Sequence, residues 1–140
     1  MSFYLDTNFV YSTLFADAHT SLALRWLRAN PSDLNVCDWT ATEMFALISR
    51  RARSGLIAQD VASAALADFD AFVTNRARSI ALSPSAGALA ANLARDPLLK
   101  LSAADALHLA SAADGGHVLV TFDVRLADAA RARAFPMEMP

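Results

Sequence analysis

An open α/β domain is the fold this sequence predicts: a central, mainly parallel sheet flanked by helices. Three observations predict it. Short strand-like runs alternate with helical periods along the whole chain, and strands separated by helices pair in parallel through covered crossovers. The first run, Phe3-Tyr4-Leu5, is brief and wholly apolar, as a strand at or near the centre of such a sheet must be. The chain has 140 residues and is 55% hydrophobic, enough for one packed domain spanning residues 1–140 and not comfortably for two.

Taken in order, Phe3–Leu5 reads as a strand and Asn8–Phe15 as the helix after it. Thr20–Asn30 is a second helix with Leu22, Ala23, Trp26 and Leu27 inward, stopped by Pro31. Leu34–Cys37 is strand-like. Thr40–Ser54 carries Ala41, Met44, Phe45 and Ile48 on one face, and Gly55 ends it. Gln59–Asn75 shows the clearest apolar stripe, through Ala62, Ala65, Leu66, Phe69, Phe72 and Val73. Ser79–Leu82 is a short strand, punctuated by Pro84. Ala86, Leu89, Ala90 and Leu93 mark a helix that ends near Asp96-Pro97. Ser102–Ala113 is helical, Asp114-Gly115-Gly116 a turn and His117–Thr121 a Val-rich strand. Val124–Arg131 is a last helix, and Phe135–Met137 an edge strand, where Pro136 is tolerated.

Composition narrows the function classes. A net charge of −2 with a pI of about 5.8 argues against binding nucleic acid with the whole surface, which needs a basic face. The single Cys37 forms no intrachain disulfide, lies in an apolar strand and fits a reducing compartment. Asp6 interrupts the N-terminus before a signal peptide develops, and no apolar run is long enough for a bilayer. A cytoplasmic protein without membrane contact is the expectation.

Four acids dominate the functional reading: Asp6, Glu43, Asp105 and Asp123. Asp6 follows the first strand, and Asp123 follows Val118-Leu119-Val120-Thr121-Phe122. Glu43 and Asp105 fall in the first turns of their predicted helices. In a parallel sheet the C-terminal strand ends share one edge, where open α/β sheets bind ligands. Carboxylates gathered there repel one another, and oxygen-only ligation suits Mg²⁺ or Mn²⁺. Such a site favours metal-assisted phosphodiester hydrolysis. Each acid also has a structural reading. Asp6 and Asp123 stand where Asp caps a helix. Thr40-x-x-Glu43 and Ser102-x-x-Asp105 match the capping-box pattern and a close variant.

Polar companions accompany the acids. Thr7 and Asn8 follow Asp6, and Thr121 shares a strand face with Asp123. His108 lies three residues after Asp105 on the same helix face, as a substrate-contacting group or as a structural histidine. One isolated Cys and three scattered His argue against a zinc site. Arg50, Arg51 and Arg53 close the helix that carries Glu43. They suit its dipole and equally suit a phosphate backbone.

Leu5-Asp6-Thr7-Asn8, Glu43, Ala104-Asp105-Ala106-Leu107-His108-Leu109-Ala110 and Leu119-Val120-Thr121-Phe122-Asp123 resemble, in order and spacing, the successive motifs of PIN-domain nucleases. In length the chain is most similar to the VapC-type toxins of bacterial toxin–antitoxin pairs. The resemblance implies a three-layer α/β/α fold, Mg²⁺- or Mn²⁺-dependent endoribonuclease activity on an RNA substrate, a homodimer and a cognate antitoxin that inserts a segment into the active-site groove. By position, Asp6, Glu43, Asp105 and Asp123 match the family's catalytic and metal-binding acids, and Thr121 a polar residue beside the fourth. The family occupies the position of His108 variably, so no catalytic role follows for it.

Two other readings stand beside this one. In a haloacid-dehalogenase-like phosphohydrolase Asp6 would be the nucleophile, but that pattern wants an Asp where Asn8 stands, and Lys100 is the only lysine. In a non-catalytic α/β interaction module the acids would only cap helices.

Overall fold

The computed structural model describes residues 1–140. The elements run β1 (Phe3–Leu5), α1 (Thr7–Leu14), α2 (Thr20–Ala29), β2 (Leu34–Cys37), α3 (Asp38–Arg53), α4 (Gln59–Asn75), β3 (Ala77–Ile80), α5 (Pro84–Ala94), a 3-10 turn (Pro97–Leu99), α6 (Ala103–Asp114), β4 (Val118–Val120), α7 (Val124–Ala132) and β5 (Met137–Glu138). The five strands form one sheet in the order β3-β2-β1-β4-β5, and every pairing is parallel. The first strand is the central one, as its apolar brevity predicts.

Side-chain alternation along the strands builds the layers. Phe3 and Leu5 of β1 join Leu34, Val36 and Val120 in one core with residues of α1–α4, among them Phe9, Trp26, Met44 and Phe69. Tyr4 points the other way and joins Cys37 and Leu119 in a second core with α5–α7, through Ala90, Leu109 and Leu126. Two cores on two faces make a three-layer α/β/α fold. Cys37 is buried and free, as expected. No helix is long and apolar enough to cross a membrane.

Boundaries differ where local signals compete. α3 starts at Asp38 with Cys37 as its N-cap, so Thr40 caps nothing. It lies fully buried inside the first turn, and Glu43 falls in the second. The Thr40-x-x-Glu43 capping box is therefore a misreading: strand β2 runs directly into the helix with no loop between them. At its other end α3 closes as expected. Gly55 has φ +74°, its N–H bonds the Ala52 carbonyl, and the Leu56 N–H bonds that of Arg51, the Schellman pattern. β3 begins two residues before the predicted Ser79, at Ala77. It pairs only with β2, and an edge strand needs less apolar character than a central one. β5 likewise lies beyond Pro136, whose carbonyl accepts from the Leu119 N–H.

Chain order matters for the site. From β1 the chain steps outward through β2 to β3, then returns to lay β4 on the other side of β1. The β1/β4 junction is thus a topological switch point, where the C-terminal strand ends leave a crevice. Asp6 lies one residue past β1, and Thr121 to Asp123 directly past β4.

Candidate active site

At that crevice Asp6, Thr7, Asn8, Glu43, Arg50, Arg53, Asp105 and His108 line one cavity of about 450 Å³. They arrive from three elements: the start of α1, one face of α3 and the first half of α6. Asp6 is the N-cap of α1: its Oδ1 accepts from the Phe9 N–H at 2.7 Å. Its Oδ2 accepts from the Thr121 hydroxyl at 2.6 Å. Asp6 is only 2% exposed, and burial disfavours a carboxylate. That burial pushes the carboxyl up to about 6, the charge of Asp123 adds to the rise, and His108, Thr121 and the Phe9 N–H oppose it.

Glu43 reaches the cavity from the second turn of α3. Its Oε2 accepts from the Thr7 hydroxyl at 2.7 Å and pairs with His108 Nε2. Burial would raise this carboxyl, but its bonds to His108 and Thr7 outweigh burial and hold it below the usual value. His108 is buried. Its Nδ1 lies 2.8 Å from the Tyr4 hydroxyl and its Nε2 3.1 Å from Thr7. Burial pushes the Tyr4 phenol far above its ordinary value, so Tyr4 keeps its proton. The ionised Glu43 carboxylate can only accept, so Nε2 donates toward it. The sequence left His108 open between two roles, and Tyr4 read only as a core residue. The available signal was a tyrosine in a fully buried central strand, whose hydroxyl must find a partner.

Asp105 sits in the first turn of α6 and does form the anticipated capping box. Its Oδ2 accepts from the Ser102 N–H at 3.0 Å, and Ser102 Oγ accepts from the Asp105 N–H. Its capping role and its place on the cavity wall coexist.

Asp123 does not line this cavity. It is the N-cap of α7, with Oδ1 accepting from the N–H groups of Arg125 and Leu126, and it faces a neighbouring cavity that shares only Asn8 with the first. The four acids thus divide between adjoining cavities, three and one, with the charge of Asp123 still felt by Asp6. Thr121 links the two groups, because its hydroxyl also accepts from the Asp123 N–H at 2.9 Å. The arginines divide likewise: Arg50 and Arg53 line the acid cavity, whereas Arg51 faces the other, as the helical turn between consecutive residues requires.

No three His, Cys, Asp or Glu side chains stand together as a ready-made metal cage. The donor chemistry nevertheless fits a hard divalent cation. Three carboxylates face a polar cavity, and one is held buried in a state that a nearby cation would relieve. Lys100, the only lysine, lines a separate cavity with Arg125 and Asp128.

No curated protein sequence matches the chain. Among solved structures, the VapC20 toxin of Mycobacterium tuberculosis, which cleaves the sarcin–ricin loop, superposes with a TM-score of 0.76 at 22% identity, covering 99% of this chain and 100% of that one. VapBC2 of Rickettsia felis, bound to a promoter DNA fragment, gives 0.75 at 16% identity over 99% and 98%. DNA-bound VapBC of Salmonella typhimurium gives 0.73 at 18% over 99% and 97%. These likenesses establish a shared fold. The sequence model of the PIN domain matches residues 3–132, nearly the whole length, and the chain belongs to the PIN-domain family.

Proposed function

We propose that this chain is a Mg²⁺- or Mn²⁺-dependent endoribonuclease that acts as the toxin of a toxin–antitoxin pair. The observation that carries the reading is the convergence of Asp6, Glu43 and Asp105 on one polar cavity at the switch point, with Asp6 buried and its carboxyl pushed up to about 6.

Asp6, Glu43 and Asp105 would hold the cation, with Asp123 reaching in from the adjoining cavity. A divalent ion there supplies Lewis acidity toward water and toward the scissile phosphate. The chain's own groups do the rest. Thr7 and His108 fix Glu43 in its carboxylate form, oriented to accept a hydrogen bond from the attacking water. Arg50 and Arg53 put cations on the wall of the same cavity, where they pair with backbone phosphates. Hydrolysis forms a phosphorus–oxygen bond to water and breaks the one to the leaving sugar oxygen.

A cognate antitoxin that inserts a segment into this groove belongs to the same reading, supported by the shared fold with chains solved as VapBC assemblies. So does a homodimer in the cytoplasm. The exposed Phe45, Leu56 and Val61 offer apolar surface to a second copy. The phosphohydrolase alternative finds no support. Asn8 stands where it needs an acid, and its lysine is in another cavity.

The test is cleavage of single-stranded RNA by the purified protein in EDTA, Mg²⁺ and Mn²⁺, with Asp6→Asn alongside. Metal-dependent cleavage lost in the variant supports the reading. RNA left intact in both metals, or a fully active variant, would end it.

A further inference from the structure

The second cavity, beside the acid one, has a chemistry of its own. Asn8, Tyr11, His19, Arg51, Phe122 and Arg125 are among its lining residues, around about 470 Å³. Aromatic rings are stacked into its wall. Phe122 packs on the buried Phe9 at 5.4 Å and 19°. His19 then stacks on Phe122 at 4.4 Å and 11°. The result is a three-ring column rooted in the core whose outermost ring, His19, is exposed. Opposite the phosphodiester chemistry of the first cavity, this is an aromatic plane held at fixed height.

Cations stand beside it. The Arg51 guanidinium lies over the Tyr11 ring, 4.9 Å from its centroid, and Tyr11 in turn stacks on Phe15. A guanidinium placed over an aromatic ring keeps its N–H donors free for other partners. The two acids in the wall are already engaged with the chain. Asp17 accepts from the Ser12 hydroxyl and from the His19 N–H, and those bonds outweigh its burial and hold its carboxyl below the ordinary value. Asp123 caps α7. The same bonds from Asp17 brace the loop that carries His19.

The geometry points to a nucleobase subsite: the second cavity receives the base of a nucleotide flanking the scissile phosphate, stacked on His19, with Arg51 and Arg125 on the adjoining phosphate. The inference rests on the ribonuclease reading and names how that site holds its substrate. Single-stranded RNA is the occupant that fits. Its unpaired bases stack on aromatic and guanidinium planes, and its backbone seeks cations. The two cavities share Asn8, so one strand can pass from one to the other without leaving the surface. A base stacked in this way follows sequence only loosely.

The test uses the full chain carrying Asp105→Asn, so that RNA is not cut. Fluorescence anisotropy follows the binding of an oligonucleotide of about 12 nucleotides, a length suited to a single-strand groove, and of the same RNA with abasic positions. His19→Ala should weaken binding of the base-bearing RNA about tenfold, the size of one lost stacking contact, and leave the abasic RNA unchanged. Its melting temperature should fall by no more than a few degrees, because the His19 side chain caps nothing and gives up only one exposed stacking contact, on Phe122. His19→Trp keeps a stacking plane and should bind at least as well as the parent. Equal affinity of the parent and His19→Ala for the base-bearing RNA would overturn the inference. The nuclease reading is judged separately. If the wild-type chain binds RNA without cutting it in Mg²⁺ or Mn²⁺, that reading fails, while the His19 comparison still decides the subsite.

Discussion

The Thr121 hydroxyl donates to Oδ2 of Asp6 across 2.6 Å, joining residues 115 positions apart in sequence. The Thr121 hydroxyl oxygen in turn accepts from the Asp123 N–H. One short side chain thus ties the end of β1 to the start of α7, and gives a buried carboxylate one of its two donors. The contact exists because β1 and β4 are neighbours in register, with Leu5 opposite Val120.

Removing that donor while keeping its shape should be costly. Thr121→Val leaves Oδ2 of Asp6 buried without its partner, a loss of about 1–3 kcal/mol. Urea unfolding at neutral pH in EDTA measures it, and Thr121→Ser should recover most of the loss. A Val variant as stable as wild type would contradict this role.

Asp6 should also make the metal-free protein respond to pH in an unusual direction. Its folded carboxyl stands near 6 against 3.8 for the free group. The native state therefore binds the extra proton between about pH 4 and 6, and stability rises as pH falls through that window. That difference corresponds to at most about 3 kcal/mol. The difference in unfolding free energy between wild type and Asp6→Asn, followed from pH 7.5 to 4 in EDTA, should shift in favour of wild type on acidification. A flat difference would show that the carboxyl is not perturbed.

Capping and catalysis can be separated at Asp105. Asp105→Asn retains a side-chain oxygen for the Ser102 N–H but loses the charge. It should melt close to wild type, yet lose RNA cleavage by about 100-fold or more, the scale of a lost electrostatic contact in an active site. Ser102→Ala should do the opposite, giving up about 1 kcal/mol of stability and leaving cleavage within a few-fold. An Asn variant with full activity would leave Asp105 as a cap alone.

Tyr4→Phe tests the buried chain behind Glu43. The change strands Nδ1 of His108, buried and 2.8 Å from the missing hydroxyl, and should cost about 1–3 kcal/mol. Loss of that partner also frees the imidazole to turn, loosening its hold on Glu43. Cleavage should then fall through kcat, with KM little changed. A change confined to KM would argue that the chain holds substrate and not the carboxylate.

Arg50→Gln and Arg53→Gln address the phosphate backbone. Each should lower RNA affinity and flatten the dependence of log affinity on log salt by about 0.7, the contribution of one single-strand phosphate contact. Unchanged slopes would return both arginines to their role at the α3 C-terminus.

Much of this was legible in the chain itself. Alternation of short apolar strands with 3.6-residue stripes is local, so β1, β2 and the helices could be read to within a residue or two. The acids that follow β1 and β4 were legible because a parallel sheet gathers strand ends on one edge whatever the details. The α3 start was not legible, since Thr40-x-x-Glu43 satisfies a local capping rule that the direct β2–α3 junction overrides. Nor was the aromatic column of Phe9, Phe122 and His19, whose members come from three separate segments and have no mutual spacing to detect.

By itself, then, the sequence determined the fold class, the middle position of the first strand and the set of acids at one sheet edge, because hydrophobic period and strand-end chemistry are properties of neighbouring residues. Only the tertiary structure decided how those acids divide. Asp6, Glu43 and Asp105 share a cavity while Asp123 faces the next, and Tyr4, His108 and Thr7 converge behind Glu43. Those relations depend on which way each helix turns its side chains over the strand ends, and packing against the two cores sets that rotation.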